Sequence, residues 1–362
     1  MKAASPPAAE VGEPAGLSPR DGWEVLGVET GPVGAVAVDP VTRAIYLGGA
    51  EGLFLSTDGG RSWSLQSREL CYPHTLLVDP FQPFVLYAAR RDLGTFLPLP
   101  GVYRSEDAGR SWRRWAAGLG EERIFSLALD PRQPGVLYAG SWAGRLYRSG
   151  DGGRHWERSS PVSPCSGCAP GVVVQILVHP LEGALYALEA GVGIFRSEDG
   201  GANWRLLLRD AGWLAVDSRR GSLYLAGRRF WRSGDGGESW VDRSAGLPWD
   251  ARLGVCRSGW VAVNPEPPVL YTREHRSTDG GVTWEVLGVE AGFVPRRLVP
   301  GEEPVLYGSF YGRAGRYRDA GPGYSAEPRC ALAYGQESGK CRPAVQNSPP
   351  ERCNLASERQ FR

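Results

Sequence analysis

An all-β fold built from seven repeated antiparallel sheets is the class this 362-residue sequence predicts. Three observations carry it: an octapeptide present six times, a strand-pair unit present seven times, and an opening segment that copies part of a later repeat. The octapeptides run Ser56–Trp63, Ser105–Trp112, Ser149–Trp156, Ser197–Trp204, Ser233–Trp240 and Ser277–Trp284, and all read Ser-x-Asp-x-Gly-x-x-Trp. Their aspartates, Asp58, Asp107, Asp151, Asp199, Asp235 and Asp279, step by 49, 44, 48, 36 and 44 residues. A period of that size is one four-stranded unit of a repeat architecture.

The third repeat justifies each strand in order. Ile124–Leu129 is apolar on consecutive residues, as a strand covered on both faces should be, and it ends at Asp130-Pro131. Val136–Gly140 forms the second strand, Ser141–Gly144 the loop, and Arg145–Ser149 the third strand leading into the octapeptide. Trp156 then opens a polar outer strand. Short β-branched and aromatic runs between Asp-Pro, Gly-rich and Asp-Gly turns are the signature of an antiparallel meander. Within the octapeptide, the Ser and Asp side chains are placed to bond backbone N–H groups of their own turn, and Gly supplies positive φ. The Trp anchors the hairpin between sheets. Six such turns on one rim cannot converge on a single reacting bond, so these residues are read as structural.

The inner strand pair recurs at 35–48, 76–88, 124–140, 176–186, 214–224, 261–271 and 298–308. After the seventh, Tyr317-Arg-Asp319-Ala-Gly-Pro-Gly-Tyr324 keeps Asp, Gly and an aromatic but has Tyr in place of both Ser and Trp. It reads as a decayed seventh copy. The N-terminal Trp23–Thr30 nearly repeats Trp284–Ala291, an orphan outer strand that completes the last sheet and removes an open edge. The expected fold is a seven-bladed β-propeller of four-stranded blades spanning residues 21–325. Residues 1–20 are expected to be disordered, and 326–362 a disordered or Cys-containing tail.

The octapeptide is the Asp-box, or BNR repeat, and the chain resembles the Asp-box β-propellers across that span. The resemblance extends to sialidases, xyloglucan-cleaving hydrolases, sortilin-type receptors and a photosystem II assembly factor. Their shared boxes imply a fold and leave the activity to the loops. Single-propeller length is nearest to the assembly factor and related scaffolds. An extracytoplasmic location is what the resemblance implies, although residues 1–20 lack the apolar core of a signal peptide.

A net charge of +1 gives no bulk attraction to nucleic acid, and no apolar segment is long enough for a membrane span. A monomer without cofactor or metal is expected. Of seven cysteines, Cys71, Cys165, Cys168 and Cys256 map to one face and Cys330, Cys341 and Cys353 to the tail. A local disulfide or free thiols is the expected state, since the four face cysteines are spread around the ring.

The first-to-second-strand (A–B) turns and the boxes share one face of such a ring. The B–C loops and D–A crossovers share the other, where function is expected to sit. On it lie Arg90, Arg91, Phe96, Trp142, Arg145, Trp249, Arg252, Phe310, Tyr311 and Arg313. Arginine offers a fork to carboxylate or sulfate and aromatics offer flat platforms, so this face is expected to bind a protein or glycan. The rival expectation is a divergent glycoside hydrolase using two of Asp92, Glu121, Glu122 and Asp250. The sialidase Phe/Tyr-Arg-Ile-Pro motif is absent, the nearest string being Phe293-Val-Pro-Arg296, and no Gly-x-Ser-x-Gly or His-Glu-x-x-His occurs.

Overall fold

The computed structural model describes residues 23–319 apart from 29, 91–100, 160, 163–170, 251, 253, 257–258, 288, 290–292, 302–303 and 311–312. Within them the chain forms seven four-stranded antiparallel sheets and one two-stranded hairpin. Blades 1 to 6 begin at inner strands Val33–Val38, Pro73–Val78, Ile124–Leu129, Val173–Val178, Trp213–Val216 and Ala262–Pro265, and each pairs its strands in sequence order. Blade 7 consists of Phe293–Val299, Val305–Phe310 and Arg313–Arg318, with Trp23–Val25 as its outer strand. The N-terminal clasp expected from the sequence is therefore present.

Seven buried clusters hold the ring, and each is shared by two adjacent blades. One joins Ala35, Tyr46 and Leu53 of blade 1 to Leu76, Leu86 and Tyr103 of blade 2. The last joins Tyr307 and Ala314 of blade 7 to Val36, Leu47 and Phe54 of blade 1, with Leu26 and Val28 of the clasp. No blade thus buries its apolar faces alone, which is why the repeat needs closure. The inner strands are also bonded side chain to backbone: Thr75 Oγ1 donates to Phe125 O at 3.3 Å, Ser126 Oγ to Val173 O at 3.0 Å, and Gln175 Nε2 to Leu214 O at 2.8 Å.

The boxes do what their residue types dictate. In the first, Ser56 Oγ accepts from Gly60 N at 2.7 Å and donates to Asp58 Oδ1 at 2.8 Å. Asp58 also accepts the Ser62 N–H at 3.0 Å and hydroxyl at 2.6 Å. Gly60 sits at φ 85°, and in blade 2 the neighbouring left-handed position is filled by Ala108 at φ 60°. Trp63, Trp112 and Trp204 donate Nε1 to their own box, to Gly60, Gly109 and Gly201. Trp156 and Trp284 instead donate across to Trp115 O and Arg243 O in the preceding outer strands. Trp240 Nε1 is buried with no acceptor. A net hydrogen bond contributes about 1 kcal/mol, so Trp112→Phe should cost about that much more stability than Trp240→Phe in paired denaturant titrations.

Burial alone raises the carboxyls of Asp107, Asp151 and Asp279, but hydrogen bonds from the residue four positions on and from the box serine outweigh it and hold them at about 2. Asp199 is brought to about 2 chiefly by Asn203. Asp58 and Asp235 are held below the usual carboxylate range by the hydroxyls of Ser62 and Ser239. A depressed folded pKa stabilises above the unfolded value near 3.9 and loses that contribution as pH falls through the folded one. The contribution of the box aspartates to the denaturant midpoint should therefore hold from neutrality to about pH 4 and fall from there toward about pH 2.

A tyrosine in the second strand ties blades to the box beyond. Tyr186 OH donates to Gly236 O at 3.0 Å, and Tyr307 OH donates to Gly59 O at 3.2 Å across the ring closure. Arg316 reinforces that closure, bonding Gly59 O and holding Glu24 of the clasp with Nη2 at 2.5 Å. At the decayed seventh box the pattern changes. Asp319, 4% exposed, accepts Tyr271 OH at 2.6 Å and pairs with buried Arg276 of blade 6. That aspartate has become a bond between blades.

Candidate functional site

The A–B turns and boxes occupy one face, and the B–C loops and D–A crossovers the other, as the strand pairing requires. The loop-face residues expected from sequence separate into two groups. Arg90 is only 4% exposed and spends its Nη1 on Glu69 O at 3.3 Å, so it supports the blade 1–2 crossover and does not face a partner. Arg91, Phe96, Tyr311 and Asp92, with Cys165, Cys168 and the tail cysteines, lie outside the described residues. Trp142 on blade 3 and Trp249 on the 5–6 crossover are about half exposed. The long 5–6 crossover folds into a hairpin, Trp249–Asp250 against Val255–Cys256, with Arg252 at its exposed tip. Cys71 is a free thiol, and Cys256 is buried.

Blades 5 to 7 carry a charge pattern the sequence reading missed. Arg209, Arg228, Arg252, Arg273 and Arg313 stand exposed on their crossovers and B–C loops. The inner strand of blade 7 begins five residues before the expected Leu298 and so brings in Arg296 and Arg297 at a β-bulge. Both are exposed to water, yet protein surrounds them closely enough that desolvation lowers their guanidinium pKa, with Arg273 adding repulsion at Arg296. None of these seven arginines has a side-chain partner among the described residues. Trp213 and Trp249, 38% and 50% exposed, stand in the same sector, and Arg229 reaches over the Trp249 ring while pairing with Asp242.

Asp210 organises that sector. Its carboxylate, 8% exposed, accepts Ala211 N at 2.8 Å, Arg228 N at 3.0 Å and Trp231 Nε1 at 2.8 Å, which fixes the blade 5 B–C hairpin. Arg228 is thus displayed on a braced loop.

On blades 2 and 3 the loop face has different chemistry. A cleft of ≈ 650 Å³ is lined by Glu121, Glu122, Arg123, Trp142, Arg145 and Tyr147, among others. Glu122, whose side chain is 11% exposed, is paired with Arg145. Burial first, and the Glu122 charge second, raise the Tyr147 phenol. A phenol held protonated is a donor and a poor nucleophile. Behind Trp142 stand Phe125 at 5.8 Å and then His74 at 5.1 Å between ring centroids.

Glu189, at the end of the second strand of blade 4, is 1% exposed. One oxygen accepts Gly171 N at 2.6 Å and the other has no partner. Burial raises its pKa against the opposing Gly171 N–H, so its contribution to stability is lost as pH rises through the raised value. Glu189→Gln should remove that slope from a pH series of denaturant midpoints.

A closed ring of seven four-stranded blades, six bearing Ser-x-Asp-x-Gly-x-x-Trp hairpins, defines an Asp-box β-propeller. The BNR/Asp-box repeat profile matches residues 54–65, the first hairpin, and the chain is a propeller of this BNR-repeat class. Among curated proteins it is similar to a xyloglucanase of Paenibacillus sp, 26% identical over 253 residues, covering 64% of this chain and 23% of that one. A xyloglucanase of Hypocrea jecorina is 28% identical over 242 residues, covering 63% and 27%. The chain therefore spans about a quarter of the length of these relatives. Among solved structures, the GH74 xyloglucanase from Xanthomonas campestris superposes with TM-score 0.60 at 21% identity, covering 80% of this chain and 52% of that one. YCF48 bound to D1 peptide superposes with TM-score 0.58 at 17% identity, covering 82% and 96%. At these identities the structures speak for the fold alone.

Proposed function

We propose that this propeller is a non-catalytic scaffold that binds a protein partner on its B–C/D–A loop face, through the arginine sector of blades 5 to 7. The observation that carries this reading is the set of seven exposed arginines without side-chain partners among the described residues, with Arg273 close enough to Arg296 to repel it. Like charges left unpaired and mutually repelling are an arrangement that an anionic ligand relieves. Exposed Trp213 and Trp249 supply the apolar contacts that anchor interfaces. The expected partner element is an acidic segment. A solved likeness that the chain covers almost in full is a propeller bound to a peptide, which supports a protein ligand in preference to a small molecule.

The test is capture on an array of synthetic peptides in which Asp/Glu-rich sequences are matched by Asn/Gln isosteres. Retention of the acidic set, weakening as salt rises, supports the reading. Equal retention of both sets contradicts it.

The second reading, a divergent glycoside hydrolase, is favoured by the 26–28% identity to xyloglucanases. Release of reducing ends from a polysaccharide panel by purified protein would establish it and displace the scaffold reading.

A further inference from the structure

The cleft of blades 2 and 3 is independent of the arginine sector, and its chemistry selects a different ligand. Its four charged groups, Glu121, Glu122, Arg123 and Arg145, cancel in formal charge, and Arg145 pairs with Glu122 beside the Tyr147 phenol. An internally neutralised pair keeps its directed donors and acceptors but exerts little net field, so an ion gains little by entering. A neutral, hydroxyl-rich molecule gains the most, because a planar carboxylate and a planar guanidinium each engage adjacent hydroxyls in forked geometry. One wall is the half-exposed indole of Trp142, held in place by its backbone N–H to Arg123 O at 2.8 Å and by Phe125 behind it. A fixed flat apolar ring beside paired polar groups matches the two kinds of surface of a pyranose, an apolar C–H face and a rim of hydroxyls. The ≈ 650 Å³ opening is of the size that takes a small ligand. Ala143 lines the cleft beside the indole with only a methyl group.

We infer that this cleft is a binding subsite for a neutral saccharide, with Trp142 as the stacking platform and the Glu122–Arg145 pair as the hydroxyl-reading group. Free polysaccharide and glycoprotein glycan share this chemistry, and the two arms of the test separate them. The full chain would be titrated with cellotetraose in one arm and a high-mannose Asn-linked glycan in the other, with trigalacturonate as the anionic control, following the indole N–H resonances of the 13 tryptophans by NMR.

The expected result is a saturable shift of the Trp142 resonance with at least one neutral ligand and none with trigalacturonate. Trp142→Ala should weaken that binding at least about tenfold, about 1.4 kcal/mol, while Phe81→Ala on the box face leaves it unchanged. Trp142 lies on a loop and is half exposed, so its replacement should fold, and the remaining indole resonances report whether it does. Arg145→Lys gives a second check: keeping the charge while losing the fork should reduce affinity. The inference is overturned if neither neutral ligand shifts Trp142, if trigalacturonate shifts it as strongly, or if Trp142→Ala binds like the parent. None of these outcomes depends on whether acidic peptides bind blades 5 to 7.

Discussion

Replacing Arg273, Arg296 and Arg297 together with glutamate is expected to weaken capture of an acidic peptide by at least about tenfold while leaving the denaturant midpoint nearly unchanged. The physical reason is the same for both halves. The three guanidiniums have no side-chain partner among the described residues, and Arg273 repels Arg296, so the folded ring gains nothing from their charge. An approaching carboxylate gains from all three, and reversal turns that attraction into repulsion, a change of several kcal/mol at close range. Exposed surface substitutions away from special contacts are usually worth within about 0.5 kcal/mol of stability. The salt dependence of binding should disappear with the charge. Isothermal titration with one Asp/Glu-rich peptide against parent and triple variant checks both. Equal affinities would remove the arginine sector from the account.

Asp319→Ala is expected to cost about 3 kcal/mol and to loosen blade 6 from blade 7. Asp319 and Arg276 are almost fully buried, and the aspartate also accepts the Tyr271 hydroxyl. Burial, then this hydrogen bond, drive the Tyr271 phenol far above its usual range, which marks how dry the site is. Removing one member of a buried ion pair leaves the other charged and desolvated, and such losses run at about 3–5 kcal/mol. Arg276 keeps Glu285 at 3.0 Å, which places the loss at the lower end. Tyr271→Phe should cost less, because it removes a neutral donor and leaves the pair intact. Chemical denaturation of both variants tests the ranking, and an Asp319→Ala loss under about 1 kcal/mol would mean that the bond does not hold the blades.

Most of the ring was legible because it is written in local chemistry. A box needs its Ser, Asp, Gly and Trp at fixed offsets, and each makes the turn contact its residue type dictates. The clasp was visible because Trp23–Thr30 and Trp284–Ala291 are near copies. What stayed hidden depends on partners distant in sequence. The tyrosine of the second strand reads as ordinary strand content, and nothing local says that Tyr307 meets Gly59, 248 positions away. Asp319 looked like the remnant of a turn because its partners, Tyr271 and Arg276, belong to another repeat. Arg90 looked exposed because loop arginines usually are, and only the fold shows it beneath the 1–2 crossover.

The arginine sector left a trace that pattern reading passed over. Inner strands are apolar because neighbouring blades cover them, so Arg296-Arg297 inside Phe293–Val299 breaks the rule that defines the strand. Compared with the sialidase motif alone, the Phe293-Val-Pro-Arg296 string shows only a mismatch. A departure of this kind is where function is expected to override fold.

Hydrogen exchange of the free and peptide-bound protein tests the central proposal most directly, because it reports position and does not depend on a chosen variant. With a bound acidic peptide, added protection is predicted at the B–C loops and D–A crossovers of blades 5 to 7, around Arg228, Trp249, Arg273 and the blade 7 bulge. Protection confined to the box face, or to blades 1 to 4, would contradict it.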